Sequence, residues 1–473
     1  IAQYDTLNPL LTTNKNVQDI TKLIFEPLVD ISSDYKATPV LATEWAKQDA
    51  TTYIIKLREN VKWANGERFT SVDVQYTIER LKERQTIYST NVQHIASLEI
   101  VDDYTIKFNL DQEVPFFEYN LTFPILSKTF FDTNDFNNTS IVTVGTGMYQ
   151  VSDVQQTYIT LTKNTNWWNR DKKLSLDKII INIYDTAGEL YNSFKMGNID
   201  VINTDNINIQ EYIGTIGYTP KEMKGREHTF IALNTQNYFL AKQEVRKAIA
   251  YSIDKQNIVS SVYDNKCYTS SFPLDYGSWI YQEQDASSGY NIEQAKQLLT
   301  NAGWKYTNKY WQITENYKTQ RLVLNLVVKA SDTINVAIAQ NIKTQLEAQG
   351  VRVNIQQYSD EQYKNALNTK KYDMILCTIN LSLSPDMTTF FGTNNLANYT
   401  TDEINTIMQE VKNNNDENTL KEKYKRLAEI YKTDIPYISL LTNKYTVAYN
   451  SSLVGDLAPN WYSPYYGIDT WYK

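Results

Sequence analysis

Two histidines, His94 and His228, are the only imidazoles in the chain, so any chemistry that needs one has few ways to be assembled. A Ser-His-Asp set would have to borrow one of these two, and no GxSxG elbow presents a nucleophile to either. No HExxH occurs, and two histidines are too few for a histidine-built metal site. Gly145-Thr146-Gly147 is a GxG fragment without the third glycine of a dinucleotide loop, and no GxxxxGK[ST] is present. The acidic pairs Asp102-Asp103 and Asp360-Glu361 fall at an expected turn and an expected helix start. They read as solvated or capping carboxylates, not as the facing pair of a glycosidase. Both histidines are therefore read as surface or packing residues, and the chain as a non-enzyme without a cofactor or a bound metal. The two cysteines, Cys267 and Cys377, make no disulfide framework, and their pairing is left open. Cys377, in Met374-Ile375-Leu376-Cys377, reads as a small buried hydrophobe.

The elements that would carry these residues follow from hydrophobic period and capping. Residues 16–30 predict a helix running into a strand. Tyr53-Ile54-Ile55-Lys56-Leu57 alternates as a half-buried strand, with a tight turn at Asn65-Gly66. Thr70 or Ser71 caps a helix that has Asp73 in its first turn and Val74, Ile78 and Leu81 on one face. Strands are expected at 97–101, 104–110, 158–163 and 178–184, and helices at 187–196 and 244–253. The last third alternates: helix 291–302 stopped by Gly303, strand 321–328, helix 332–349 stopped by Gly350, strand 351–357, helix 360–368, strand 372–379. Such alternation predicts α/β units with crossover connections. Helices at 401–414 and 417–432 follow, then a strand pair over 435–449. Neither a repeat nor a low-complexity linker divides the chain.

Composition narrows the partners. The net charge of −8 and pI near 5.1 argue against nucleic acid, which needs clustered Lys and Arg. The 36 Tyr and 9 Trp accompany abundant Asn, Lys and Ile and are read first as codon bias. The second reading is the aromatic wall of a binding surface. No apolar run reaches the 18 or so residues of a membrane span. Ile1-Ala2-Gln3-Tyr4-Asp5 reads as mature sequence, its signal peptide already removed.

Several motifs then stand together. Asp5-Thr6-Leu7-Asn8-Pro9 precedes Ile24-Phe25-Glu26-Pro27-Leu28-Val29. Leu41-Ala42-Thr43-Glu44-Trp45 is followed by the run from Leu57-Arg58-Glu59-Asn60-Val61-Lys62-Trp63 through Asn65-Gly66 to Asp73-Val74. Val144-Gly145-Thr146-Gly147-Met148-Tyr149, Ile231-Ala232-Leu233-Asn234, Val245-Arg246-Lys247-Ala248-Ile249, Ala302-Gly303-Trp304 and Tyr372-Asp373-Met374 complete the set. Along nearly its whole length the chain resembles the extracytoplasmic solute-binding proteins of family 5, the peptide- and nickel-type binding proteins of ABC importers. Met148 stands where that family usually has proline. Many of these residues read as structural: Gly66 and Gly147 in turns, Trp45 and Trp63 in the core, Arg58 in an ion pair.

The resemblance implies an α/β, two-lobed periplasmic-binding-protein-like fold (type II, cluster C) with an interlobe ligand cleft. It implies a first lobe of 1–42, 146–236 and 440–473, an extra subdomain of 43–145 and a second lobe of 237–439. It further implies an extracytoplasmic, monomeric protein, periplasmic or a cell-surface lipoprotein, that captures oligopeptides and delivers them to the importer's transmembrane subunits. The alternatives are a nickel chelate, an oligosaccharide, or peptide sensing without import. In peptide-binding relatives an aspartate about four positions before a proline fixes the ligand ammonium. Here Thr378-Ile379-Asn380-Leu381-Ser382-Leu383-Ser384-Pro385-Asp386 places Leu381 or Ser382 there. A buried ammonium without a carboxylate costs several kcal/mol. Either Asp386 or Glu26 takes over as anchor, or the amino end of the ligand is not fixed at this loop. The expected ligand-lining residues are Glu26, Leu28, Trp279, Asn380, Leu381, Ser382 and Asp386.

Overall fold

The computed structural model describes residues 1–204, 209–213, 217–275, 277–281, 289–414 and 416–473. The chain divides into two compact units, Ile1–Met223 with Tyr445–Lys473, and Lys224–Lys444. It leaves the first unit inside strand Tyr218–Leu233 and returns inside strand Tyr437–Asn450. The second unit thus begins at Lys224, within a strand.

The first unit starts with a polar scaffold. Asp5 accepts from the Thr12 hydroxyl (2.7 Å) and the Thr13 N–H (2.8 Å), and Asn8 spans from the Leu10 N–H to the Phe136 carbonyl. The opening motif is therefore a turn that delivers helix Lys15–Thr21, capped by the Asn14 side chain. Strand Thr52–Leu57 lies between Ala42–Lys47 and Thr105–Leu110, with Ile95–Asp102 at the edge, in an antiparallel sheet. Helix Ser71–Glu83 covers that sheet. It is closed by a capping box in which Thr70 and Asp73 satisfy each other's backbone N–H. Trp63, 1% exposed, packs with Ile55, Phe69 and Phe108 in a core that continues without a break into Leu7, Phe25 and Tyr149. Residues 43–145 accordingly share one core with the rest of the first unit.

The second unit is built on parallel strands. Val323–Lys329 pairs with Arg352–Tyr358 on one side and with Met374–Asn380 on the other. Helices Thr333–Ala348 and Asp360–Thr369 make the crossovers. Ile338, Ile342 and Leu346 pack the first of these helices onto Leu324, Leu326 and Val328. Residues Glu227–Leu233 then extend the sheet antiparallel to Met374–Asn380. Cys267 and Cys377 are both buried and unpaired.

One expected element is different. Residues 435–449 form a single strand, Tyr437–Asn450, and no hairpin. Asn443, the natural turn residue in that run, uses its side-chain carbonyl to accept from Glu227 N–H (3.1 Å). It lies against Gly225, where a Cβ would overlap it. The three-stranded meander Lys305–Thr307, Tyr310–Glu315, Lys318–Arg321 escaped the periodicity reading. Its turns, Asn308-Lys309 and Asn316-Tyr317, have positive φ at both residues, the geometry of tight hairpins.

Gly145 and Gly147 lie against the Ile24 backbone. A Cβ on Gly147 would come within 2.7 Å of the Leu23 and Ile24 carbonyl oxygens, and one on Gly145 would overlap the Ile24 carbonyl outright. Replacing Gly145 by Ala should therefore cost about 2 kcal/mol or more of unfolding free energy, as forced overpacking does. Urea denaturation of the variant against the parent measures this, and an unchanged midpoint would contradict the packing.

Candidate functional site

The close approach of Gly145–Tyr149 to Leu23–Phe25 builds a wall. Gly147 N–H donates to Ile24 O (2.8 Å) and Tyr149 N–H to Leu23 O (3.0 Å), while Ile125 N–H reaches Glu26 O (3.1 Å) from the other side. Glu26 is thereby held at the edge of a cavity of about 540 Å³ in the first unit, a size that suits a small ligand. Met148, at the position where proline was expected, lines the same cavity.

The Glu26 side chain is 8% exposed. Trp167 Nε1 donates to Oε1 (2.9 Å) and Trp168 Nε1 to Oε2 (2.9 Å). Desolvation outweighs these donors and raises the carboxyl from its ordinary 4.5 to about 7. Asn164 holds the turn before the indoles: its Nδ2 donates to Gly147 O (2.8 Å) and its Oδ1 accepts from Asn166 N–H (2.9 Å). The Arg58 guanidinium stacks on Trp168, 3.9 Å from the ring centroid, and Nε donates to Val40 O (2.9 Å). Among the described residues no carboxylate is in ion-pair contact with Arg58; the expected ion pair is a cation–π contact instead.

Charged groups line the same cavity. Lys22 lies 3.9 Å above the Tyr462 ring and 3.4 Å from Asp19, and burial lowers its pKa to about 8. Burial also raises Asp30, against the opposing Ile31 N–H and Tyr462 hydroxyl. The cavity thus offers indole and phenol faces, a carboxyl poised between charge states, and the ammonium groups of Lys22 and Lys172. Such a wall can hold a polar ligand with apolar parts. Among the described residues no group of three or more His, Cys, Asp or Glu side chains could ligate a metal. His94 meets Asp111 at 3.0 Å on the surface, whereas His228 is buried and kept neutral, its pKa lowered to about 3 by burial.

The other expected ligand residues fall as follows. Leu28 is 0% exposed and its side chain belongs to the core. Asn380 ends strand Met374–Asn380, exposed and opposite Glu227. Leu381 and Ser382 continue that strand as a loop held by Arg226. Asp386 accepts from Thr388 N–H (2.9 Å) and its hydroxyl (2.6 Å), just before the short helix Thr388–Phe391. Trp279 is 8% exposed. Its segment is tied to the same loop through Asp275, which pairs with Arg226. Sequence reading missed Trp167, Trp168, Lys22 and Arg226. The adjacent indoles in Asn164-Thr165-Asn166-Trp167-Trp168 were the one visible signal.

A two-unit α/β chain with a polar, aromatic-walled cavity defines a binding protein, and the comparisons say of which family. The model for bacterial extracellular solute-binding proteins, family 5 middle, matches residues 36–401, and the chain belongs to this family. Its members are binding proteins that act outside the cytoplasm. The oligopeptide-binding protein AppA of Bacillus subtilis is 23% identical over 93% of this chain and 84% of its own length. The periplasmic murein peptide-binding protein MppA of Escherichia coli is 24% identical over 78% of this chain and 72% of its own. In structure, the unliganded open form of MppA matches with a TM-score of 0.83 at 19% identity, covering 100% of this chain and 96% of that one. HbpA2 of Haemophilus parasuis matches with a TM-score of 0.83 at 21% identity, covering 98% of both chains. The expected two-lobed fold is therefore that of this chain. No helix among the described residues is long and apolar enough to cross a membrane.

Glu26 yields a pH signature. Its folded pKa lies above its ordinary value, so its contribution to stability is complete below about pH 4.5 and is lost as pH rises to about 7. Glu26→Gln keeps an acceptor for the indoles but cannot ionise. Wild type should therefore lose about 3 kcal/mol relative to this variant across that window. Paired urea unfolding at pH 4.5 and 7.5 tests it; a constant difference would refute the buried-carboxyl reading.

Proposed function

We propose that this protein captures oligopeptides outside the cytoplasm and hands them to the transmembrane subunits of an ABC importer, as a monomer and without catalysing a reaction. Membership of family 5 over residues 36–401 carries this reading. A relative named for oligopeptide binding, whose match covers 93% of this chain, supports it. The cavity beside Glu26 supports it too: indole faces and a half-titrated carboxyl suit varied side chains without demanding one. Glu26, Trp279, Asn380, Leu381, Ser382 and Asp386 are the proposed ligand-lining residues, with Trp167 and Trp168 added. Attachment to the cell surface through a lipid belongs to the same proposal.

A nickel chelate is the second reading. The structure of NikZ from Campylobacter jejuni with Ni(L-His) matches over 100% of this chain with a TM-score of 0.62. Here neither histidine stands at the Glu26 cavity, which favours the peptide.

Denaturing the freshly purified protein and analysing what is released by mass spectrometry separates the two. A ladder of mixed peptides is expected. Release of a metal chelate, a sugar or a single non-peptide compound would overturn the peptide reading and leave the family assignment standing.

A further inference from the structure

The charges that line the Glu26 cavity do not balance. Two ammonium groups line it, and both are already held: Lys22 lies 3.4 Å from Asp19, and Lys172 lies 2.7 Å from Asp469. Three further acids line it, Glu26, Asp30 and Asp456. Among the described residues none of these three has a cation within ion-pair distance. Asp456 is exposed, whereas Asp30 is half-buried and accepts from the Ile31 N–H and the Tyr462 hydroxyl. Glu26 accepts from the two indoles. Neutral donors satisfy the lone pairs of a carboxylate but leave its charge uncompensated, which is costly in a buried place. Glu26 and Asp30 also feel each other's charge, so a cation admitted beside them relieves both.

The rings on the same wall point the same way. Tyr88, Trp167, Trp168, Tyr462, Tyr465 and Tyr466 line the cavity, and aromatic faces attract cations, the more so away from water. Two of these rings already carry one: the Arg58 guanidinium lies 3.9 Å from the Trp168 centroid and Lys22 Nζ 3.9 Å from that of Tyr462. Arg58 acts on Glu26 by charge without ion-pair contact. These fixed cations serve their own rings and leave Glu26 and Asp30 without a counter-ion.

We propose that the Glu26 cavity takes an organic cation, the ammonium or guanidinium of a peptide, with Glu26 and Asp30 as its counter-ions and aromatic rings around it. This rests on the peptide-binding reading above and names what that site selects. Lysine and arginine side chains carry such a group, and so does any unblocked amino end. A preference for cations therefore leaves the peptide sequence otherwise free.

The test is capture by the intact chain of four nonapeptide libraries of otherwise uncharged side chains, quantified by mass spectrometry. Each contains one lysine or one norleucine, and its amino end is free or acetylated. The acetylated norleucine library, which has no cation, should be captured about tenfold less than a cationic one. A gain from lysine between the acetylated libraries assigns the cation to a side chain. A gain from the free amine between the norleucine libraries assigns it to the amino end, and either gain bears the proposal out. Equal capture of all four within about twofold would overturn it and leave the peptide reading standing. Capture of none would overturn the peptide reading, and the proposal with it. Glu26→Gln combined with Asp30→Asn keeps acceptors and removes charge, so the preference should fall to within about twofold. Merely structural acids would lower all four captures alike and keep the ratio, which would overturn the assignment. Calorimetry gives a second readout. At about pH 6 burial keeps Glu26 largely protonated, and a cation admitted beside it and Asp30, with Arg58 and Lys22 already near, expels that proton. Titration of the best-captured cationic peptide in buffers of different ionisation enthalpy should show net proton release, absent with its uncharged twin. Equal release from both would overturn the role of Glu26.

Discussion

Backbone cannot approach backbone through a Cβ, and the first unit depends on that exclusion. Gly145 and Gly147 lie directly on the Ile24 carbonyl, which receives the Gly147 N–H. Any side chain at either glycine would push the Leu23–Glu26 segment off its seat. The contact sets where Glu26 stands, where Met148 lines the cavity, and where Asn164 finds the Gly147 carbonyl. The Glu26 cavity follows from two missing methyl groups.

The two units manage buried charge differently. In the first, a carboxyl is desolvated, met by indole N–H groups, and left near neutrality in pKa. In the second, the Arg226 charge is fully engaged by two carbonyls and a carboxylate. A half-satisfied acid at a cavity wall can respond to what enters. A fully satisfied guanidinium under a loop fixes geometry and removes acceptors from use. Adaptable and rigid polar surfaces are both useful to a protein that must hold ligands of varied sequence.

Much of the fold was legible because its elements carry local signals. Thr70 and Asp73 form the expected capping box, and Gly303 and Gly350 take the positive φ expected of helix stops. Strand Tyr158–Lys163 and the crossover helices fall where hydrophobic period placed them. Tyr437–Asn450 did not, because the Asn443 side chain bonds to a strand more than two hundred residues earlier in sequence. Leu28, two positions after Glu26 in the same motif, is buried in the core.

By itself the sequence determined the family, the α/β alternation, the caps and turns, and the poverty of catalytic residues. Each of these is encoded in residue type and short spacing. Only the tertiary structure decided which polar groups become partners. Glu26 meets indoles 141 and 142 positions away, and Arg226 meets carbonyls 155 and 156 positions away. Desolvation and hydrogen-bond satisfaction depend on the folded surroundings, and no local spacing encodes those.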